Sequence, residues 1–330
     1  MKFLYFLEGL RNPFLDALFS LITHLGEETL FLVIAIVVFW CINKREGYYI
    51  LTAGLLGTLI NQWLKLVCRV PRPWVKDPAF SIVESARAEA TGYSFPSGHT
   101  QSVTTTLGGL ARFTRRGVLR AVLVTLVALV ALSRMYLGVH TPADVLTSLA
   151  IGSVLVFGLY PVFSSEERFN RLMPYVVAAC VAVALGFAVY AFAIASGGEA
   201  ENLASARKNA ATLLGCLLAT CVVYPLDRYK IKFETGGVWY SQLIKLVLGL
   251  GIILAIKEGT RTPLEWLFGL FMPEPLYLAR GVRYFLIVVF AGSVWPLTFG
   301  FFSRLRIPVM EKFTAWLGRI FDKKQRTPTD

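Results

Sequence analysis

Polar residues along this chain come in bursts, and long apolar stretches separate them. A helix needs about 20 apolar residues to cross a hydrocarbon layer of roughly 30 Å. Stretches of that order occupy positions 48–67, 118–135, 142–163, 172–195, 210–226, 238–256 and 284–302. A shorter run covers 28–42, and another begins near Pro96 and ends at Arg112. The runs are rich in Leu, Val, Ala and Phe and lack the period-two alternation of barrel strands. Helices are therefore expected, since in lipid the backbone must satisfy its own hydrogen bonds. The pattern predicts an all-α polytopic membrane helix bundle with about nine spans. Residues 3–25 are apolar but interrupted by Glu8, Arg11, Asn12 and Pro13. They read as an interfacial or re-entrant helix, with a tilted span as the alternative.

The polar bursts orient the spans. Lys44 and Arg45 follow the first clear span, and Arg112, Arg115, Arg116 and Arg120 follow two spans later. Both clusters belong in the cytoplasm by the positive-inside rule. The loop 69–96 and the loop around His140 then share the opposite, extracytoplasmic face. Asp227-Arg228-Tyr229-Lys230-Ile231-Lys232 reads as cytoplasmic, and so does a basic amphipathic end containing Arg304, Arg306, Lys312, Arg319, Lys323, Lys324 and Arg326. Four segments are expected: an interfacial or re-entrant helix at 1–27, a core at 28–165, a C-terminal transmembrane extension at 166–303 and a basic tail at 304–330. No repeat or cleavable signal peptide is evident.

Composition agrees, with 55% hydrophobic residues and a mean hydropathy of +0.60. The net charge of +12 fits cationic loops beside anionic lipid heads. Nucleic acid is not an expected partner, because no basic, aromatic-interleaved soluble domain appears. Cys41, Cys68, Cys180, Cys216 and Cys221 lie mostly in apolar runs without metal-ligand spacing and read as reduced packing residues.

Three polar stretches carry candidate chemistry, and the topology puts them on one face. Lys65 and Arg72-Pro73 lie at the outer end of one span, Ser94-Phe95-Pro96-Ser97-Gly98-His99 opens the next, and Ser133-Arg134 through His140 to Asp144 links two more. Thr141 and Pro142 are a good N-cap and first residue, so a helix carrying Asp144 in its first turn should begin there. His140 and Asp144 can then meet, and a carboxylate that fixes one imidazole nitrogen makes the other a better nucleophile. Taken singly, Asp144 could simply stabilise the helix N-terminus, and Lys65 could simply snorkel.

Phosphoryl transfer needs cations for three oxygens, a nucleophile and an acid. Lys65, Arg72 and Arg134 would clamp the oxygens, and Ser97 and Gly98 would offer backbone N–H groups at a helix start. His99 would be the acid and His140 the nucleophile, with no cofactor or metal required. Lys245, inside an apolar run, would either line a cavity or snorkel.

The pattern Lys, six residues, Arg-Pro; then Pro-Ser-Gly-His; then Ser-Arg, five residues, His, three residues, Asp resembles the tripartite signature of the type 2 phosphatidic acid phosphatase superfamily. The resemblance covers roughly residues 28–163 and every motif position is filled. It implies a metal-independent integral membrane phosphatase with His140, His99 and Asp144 catalytic and Lys65, Arg72, Ser97, Gly98 and Arg134 binding phosphate. Expected partners are membrane lipids and a phosphorylated lipid substrate, at the extracytoplasmic face of a bacterial inner membrane. A sugar-phosphate phosphatase is the nearest rival. A lipid transporter or scramblase with a phosphate-binding site is the rival of a different class. The later spans resemble those of the superfamily's longer members but carry no motif.

Overall fold

The computed structural model describes residues 1–197, 199–314 and 316, so Arg319, Lys323, Lys324 and Arg326 of the expected tail lie outside the described residues. All regular structure among the described residues is helical. After α1 (Lys2–Glu8), Asn12 caps α2 (Pro13–Thr23) by accepting from Leu15 N, with Pro13 as first helical residue. The turn His24–Gly26 joins α2 to α3 (Glu28–Val37), and the two limbs meet at a bend of 51°. Then come α4 (Lys44–Cys68), the short α5 (Pro73–Lys76), α6 (Gly98–Val103) and α7 (Gly109–Phe113), the last two joined by a π turn at Thr104–Gly108. Helices α8 (Gly117–Tyr136) and α9 (Pro142–Phe163) close the first half. The second half contains α10 (Glu166–Val189), α11 (Ala200–Leu226), α12 (Trp239–Gly259), α13 (Arg261–Gly269), α14 (Pro275–Val289) and α15 (Phe299–Arg304).

This is an integral membrane protein with multiple spans. Among the described residues, seven helical segments are long and apolar enough to cross a bilayer, and the bent α2–α3 pair makes an eighth if it counts as one span. The segment expected to start near Pro96 is different in kind. The rod α6 to α7 falls short of that length and stands enclosed, with Thr100, Gln101, Val103, Thr104, Thr105 and Thr106 all buried. Thr104, Thr105 and Thr106 donate their hydroxyls to carbonyls one turn back, at 2.6, 3.0 and 2.7 Å, which satisfies them away from water. Glycine lets the neighbours close on the rod. A Cβ at Gly152 of α9 would sit 2.6 Å from Thr104 Cγ2.

The second half wraps this core through α11, which packs on both α4 and α14. At the α11–α14 crossing a Cβ on Gly215 would lie 2.1 Å from the carbonyl oxygen of Gly281, so the backbones touch. At the opposite membrane face, buried Asp227 accepts from Lys44 Nζ at 3.0 Å and Tyr48 Oη at 3.3 Å and ties α11 to the start of α4. Lys245 is buried there and its charge is already taken up. Its Nζ donates to Trp40 O at 2.8 Å and lies 4.1 Å from the centroid of the Phe299 ring. The five cysteines are free thiols. Cys180 and Cys216 are buried as packing residues, whereas Cys68 and Cys221 are exposed.

Candidate active site

The loop between α8 and α9 turns on its own backbone. Arg134 O accepts from the N–H groups of Val139 and His140 at 3.2 Å each, and Gly138 supplies the positive φ of 82°. Thr141 Oγ1 accepts from Asp144 N at 3.3 Å, and Asp144 Oδ2 accepts from Thr141 N at 2.7 Å. This reciprocal cap starts α9 and fixes the carboxylate. The same Oδ2 accepts from Ser94 Oγ at 2.6 Å and lies 3.5 Å from His140 Nδ1.

The other imidazole nitrogen, Nε2, is 3.0 Å from Nη1 of Arg72. A guanidinium only donates, so Nε2 presents its lone pair and the proton sits on Nδ1, facing Asp144. Burial holds the imidazole well below the ordinary histidine pKa, and the charges of Arg72 and Arg134 add to the effect. His140 is therefore neutral near pH 7, the form in which Nε2 can attack.

Arg72 joins the loops. Besides His140 it donates to Thr91 O at 2.7 Å, Val139 O at 2.9 Å and Gly92 O at 3.0 Å, so one planar fork holds loop 69–96 against the α8–α9 loop. Arg134, 1% exposed, donates to Thr23 Oγ1 at 2.7 Å, while its buried Nε has no partner. Lys65, in the last turn of α4, donates to Tyr93 O at 2.6 Å. The hydrogen bonds of all three cations go to neutral acceptors, with Glu89 no nearer to Arg134 than 4.0 Å, and an anion would outcompete them.

Ser97 caps α6 and is fully buried, with its Oγ accepting from Thr100 N and its N–H given to Asp144 O at 3.3 Å. The first-turn N–H groups of Gly98 and His99 have no helical partner by construction. His99 Nε2 lies 3.2 Å from Glu89 Oε2, and burial lowers the pKa of its imidazole against the raising effect of that carboxylate. The turn before α3 presses on His99, since a Cβ at Gly26 would meet His99 Cβ at 2.8 Å.

Several residues at the site had no assigned role from sequence. Ser94 orients Asp144, Thr23 holds Arg134, and Glu89 faces both His99 and, at 4.0 Å, Arg134. The hydrogen bond with His99 is the main reason the Glu89 carboxyl lies below its usual pKa. The second half also reaches in. Asn202, Ser205 and Asn209 of α11 face Lys65, Gln62 and Gly92 across a cavity of about 80 Å³. For a cation, His24, Glu27 and Glu89 bring three ligand atoms within 4.8 Å of one another, although His24 already contacts Glu27 and Glu89 already holds His99.

Two imidazoles and three cations thus gather where the loops of a helical membrane bundle meet. Comparison with known sequences gives the family. The chain belongs to the PAP2 superfamily, whose profile matches residues 46–168, and the profile described as "PAP2 superfamily phosphatase, transmembrane extension" matches residues 209–306. It is 24% identical to sphingosine-1-phosphate phosphatase 1 of Mus musculus over 73% of this chain and 58% of that protein. It is 26% identical to phosphatidylglycerophosphatase B of Bacillus subtilis (strain 168) over 49% of this chain and 82% of that protein. With undecaprenyl-diphosphatase BcrC of the same strain the identity is 30% over 41% of this chain and 63% of that protein. The chain thus spans a little over half the length of the mouse relative. No solved structure matches it significantly.

Proposed function

We propose that this protein is a phosphatase that hydrolyses a lipid phosphate or pyrophosphate monoester through a phosphohistidine. The observation that carries the reading is the polarised imidazole of His140, with Asp144 at 3.5 Å on one nitrogen and a cation at 3.0 Å on the other. A phosphoryl group entering between Nε2 and Arg72 would inherit the guanidinium, with Lys65 and Arg134 for its remaining oxygens and the N–H groups at Gly98 for close approach.

In the first step Nε2 attacks phosphorus, the bond from phosphorus to the ester oxygen breaks, and His99 gives its proton to that oxygen. The dephosphorylated lipid leaves. Asp144 stabilises the positive charge on the phosphorylated ring. In the second step His99, now neutral, takes a proton from water, and the hydroxide attacks phosphorus. The bond between phosphorus and Nε2 breaks, which frees inorganic phosphate and restores neutral His140. No step requires a metal.

Cytoplasmic placement of Lys44, Arg45 and the Arg112 to Arg120 cluster favours a pocket open to the extracytoplasmic leaflet, as in a bacterial inner membrane. A substrate whose tail stays in lipid suits that position, and the named relatives suggest sphingoid, phosphatidylglycerol and isoprenyl phosphates for the panel. The test is phosphate release by the purified protein from these lipids and from sugar phosphates, with EDTA present. Release from a lipid phosphate that EDTA spares and His140→Ala abolishes is expected. Release only from sugar phosphates, or only with added metal, would overturn the reading.

A further inference from the structure

Helix α11 has two lined faces. Asn209 borders the cavity beside Lys65, and its neighbour Lys208 borders a second, larger cavity of about 360 Å³ between α11, α12, α13 and α14. Lys257, Arg261, Arg280 and Arg283 converge on it with Lys208, against only two carboxylates, Glu258 and Glu265. Those carboxylates are used at the rim, where Glu258 lies 3.6 Å from Lys257 and Glu265 lies 3.6 Å from Arg261.

Among the described residues three of these five cations make no ion pair, since no carboxylate comes within 4.0 Å of Lys208, Arg280 or Arg283. Arg280 Nε has only the hydroxyl of Thr212, at 2.7 Å. Arg283 is 6% exposed, and its Nε has no hydrogen-bond partner. Arg283 lies about 12 Å along α14 from Pro275 at the helical rise. A buried guanidinium without an ion-pair partner, as at Arg283, is costly unless something anionic meets it. Lys208 and Asn209 are adjacent in α11, so the two cavities flank the same turn of that helix.

We propose that this second cavity is a phosphate-binding site of the transmembrane extension, distinct from the catalytic pocket, which takes the phosphate group of an anionic lipid in the substrate's leaflet. Arg280 and Arg283 hold the phosphate oxygens, Lys208 and Lys257 close the mouth, and the acyl chains remain in the bilayer. Such a site anchors α11 and thereby the Asn202 to Asn209 face that borders Lys65. Free phosphate has the same chemistry, and the test separates the two sources.

The full chain in detergent is titrated with phosphatidylglycerol or phosphatidylcholine and the bound lipid counted by native mass spectrometry, in the His140→Ala background so that turnover plays no part. Phosphatidylglycerol should bind with one site at least tenfold tighter than phosphatidylcholine. The pair Arg280→Gln and Arg283→Gln should erase that preference, by about the tenfold that one charge-assisted phosphate contact provides. The rim variant Lys208→Gln with Lys257→Gln should weaken it in the same direction, which keeps the test open if the deep pair misfolds.

A competition arm adds inorganic phosphate at millimolar concentration. Retention of phosphatidylglycerol supports a lipid source, and displacement by phosphate alone assigns the site to the free ion and overturns the lipid source. Equal binding of the two lipids, or an unchanged preference in both folded variants, overturns the site altogether. Because no arm measures hydrolysis, failure here is separable from failure of the phosphatase reading.

Discussion

Arg134 and Lys245 are both buried to about the same degree, each 1% exposed, yet they belong to different kinds of place. Arg134 in the core is left with an unpartnered Nε, a lone threonine hydroxyl and a carboxylate only at 4.0 Å, amid a second guanidinium and two imidazoles. Lys245 in the extension is finished: one carbonyl and one aromatic face use its charge. Burial of a cation is therefore weak evidence of function. Unspent hydrogen-bonding capacity beside other ionisable groups is the stronger sign.

The largest effect that would break this comparison lies at His140. His140→Ala should lower phosphate release by about a thousandfold or more, because the nucleophile itself is lost, while detergent stability holds. A variant retaining a tenth of the activity would mean that another group attacks phosphorus. Asp144→Asn should follow at about 10²- to 10⁴-fold, since the amide no longer stabilises the charged ring or fixes its tautomer. Rapid-quench trapping of an acid-labile phosphoenzyme is the sharper readout, and it should fall with the rate.

Glu89→Gln should cost less, about tenfold. The carboxylate holds His99 by hydrogen bond and charge. Removing that charge makes the imidazolium easier to deprotonate, so the limb of the pH–rate profile set by the acid should move to lower pH. His140 should not move with it, because its depression comes chiefly from burial and from Arg72 and Arg134. A profile scaled down without any shift would assign Glu89 to loop packing alone.

These positions differ in how far the chain announces them. Thr141, Pro142 and Asp144 are a local cap, and their meeting with His140 at 3.5 Å follows from spacing within one turn. Ser97 as the cap of α6 is local in the same way. Glu89 is not, because it sits in a polar loop with Glu84 and Arg87, which pair with each other, and nothing in the sequence separates a carboxylate that turns inward from one that stays in water.

Thr23 and Gly26 were hidden for a different reason. Hydropathy alone treats 3–25 as a stretch of marginal length, whereas the 51° bend after α2 is what sets its end against Arg134 and His99. Hydropathy likewise marks the run from near Pro96 to Arg112 as one more span, although its density of Ser, Thr and Gly already suits a rod packed inside protein. The contribution of Asn202, Ser205 and Asn209 depends on the crossing of α11 with α4, far apart in sequence, and on no motif.

The smallest effect expected is also the one that tests the other half of the comparison. Lys245→Met keeps the length of the side chain and its packing beside Phe299 and removes the ammonium. Trp40 O then loses its donor, a loss of about 1 to 3 kcal/mol for a buried acceptor, and the removed cost of burying a charge offsets part of it. Thermal unfolding in detergent should therefore shift by only a few degrees, and phosphate release should stay within about twofold. If activity fell tenfold in a variant that unfolds at the wild-type temperature, Lys245 would be coupled to the pocket at the opposite face. The distinction between a cation that is spent and one that is free would then fail as a guide to where this protein does its chemistry.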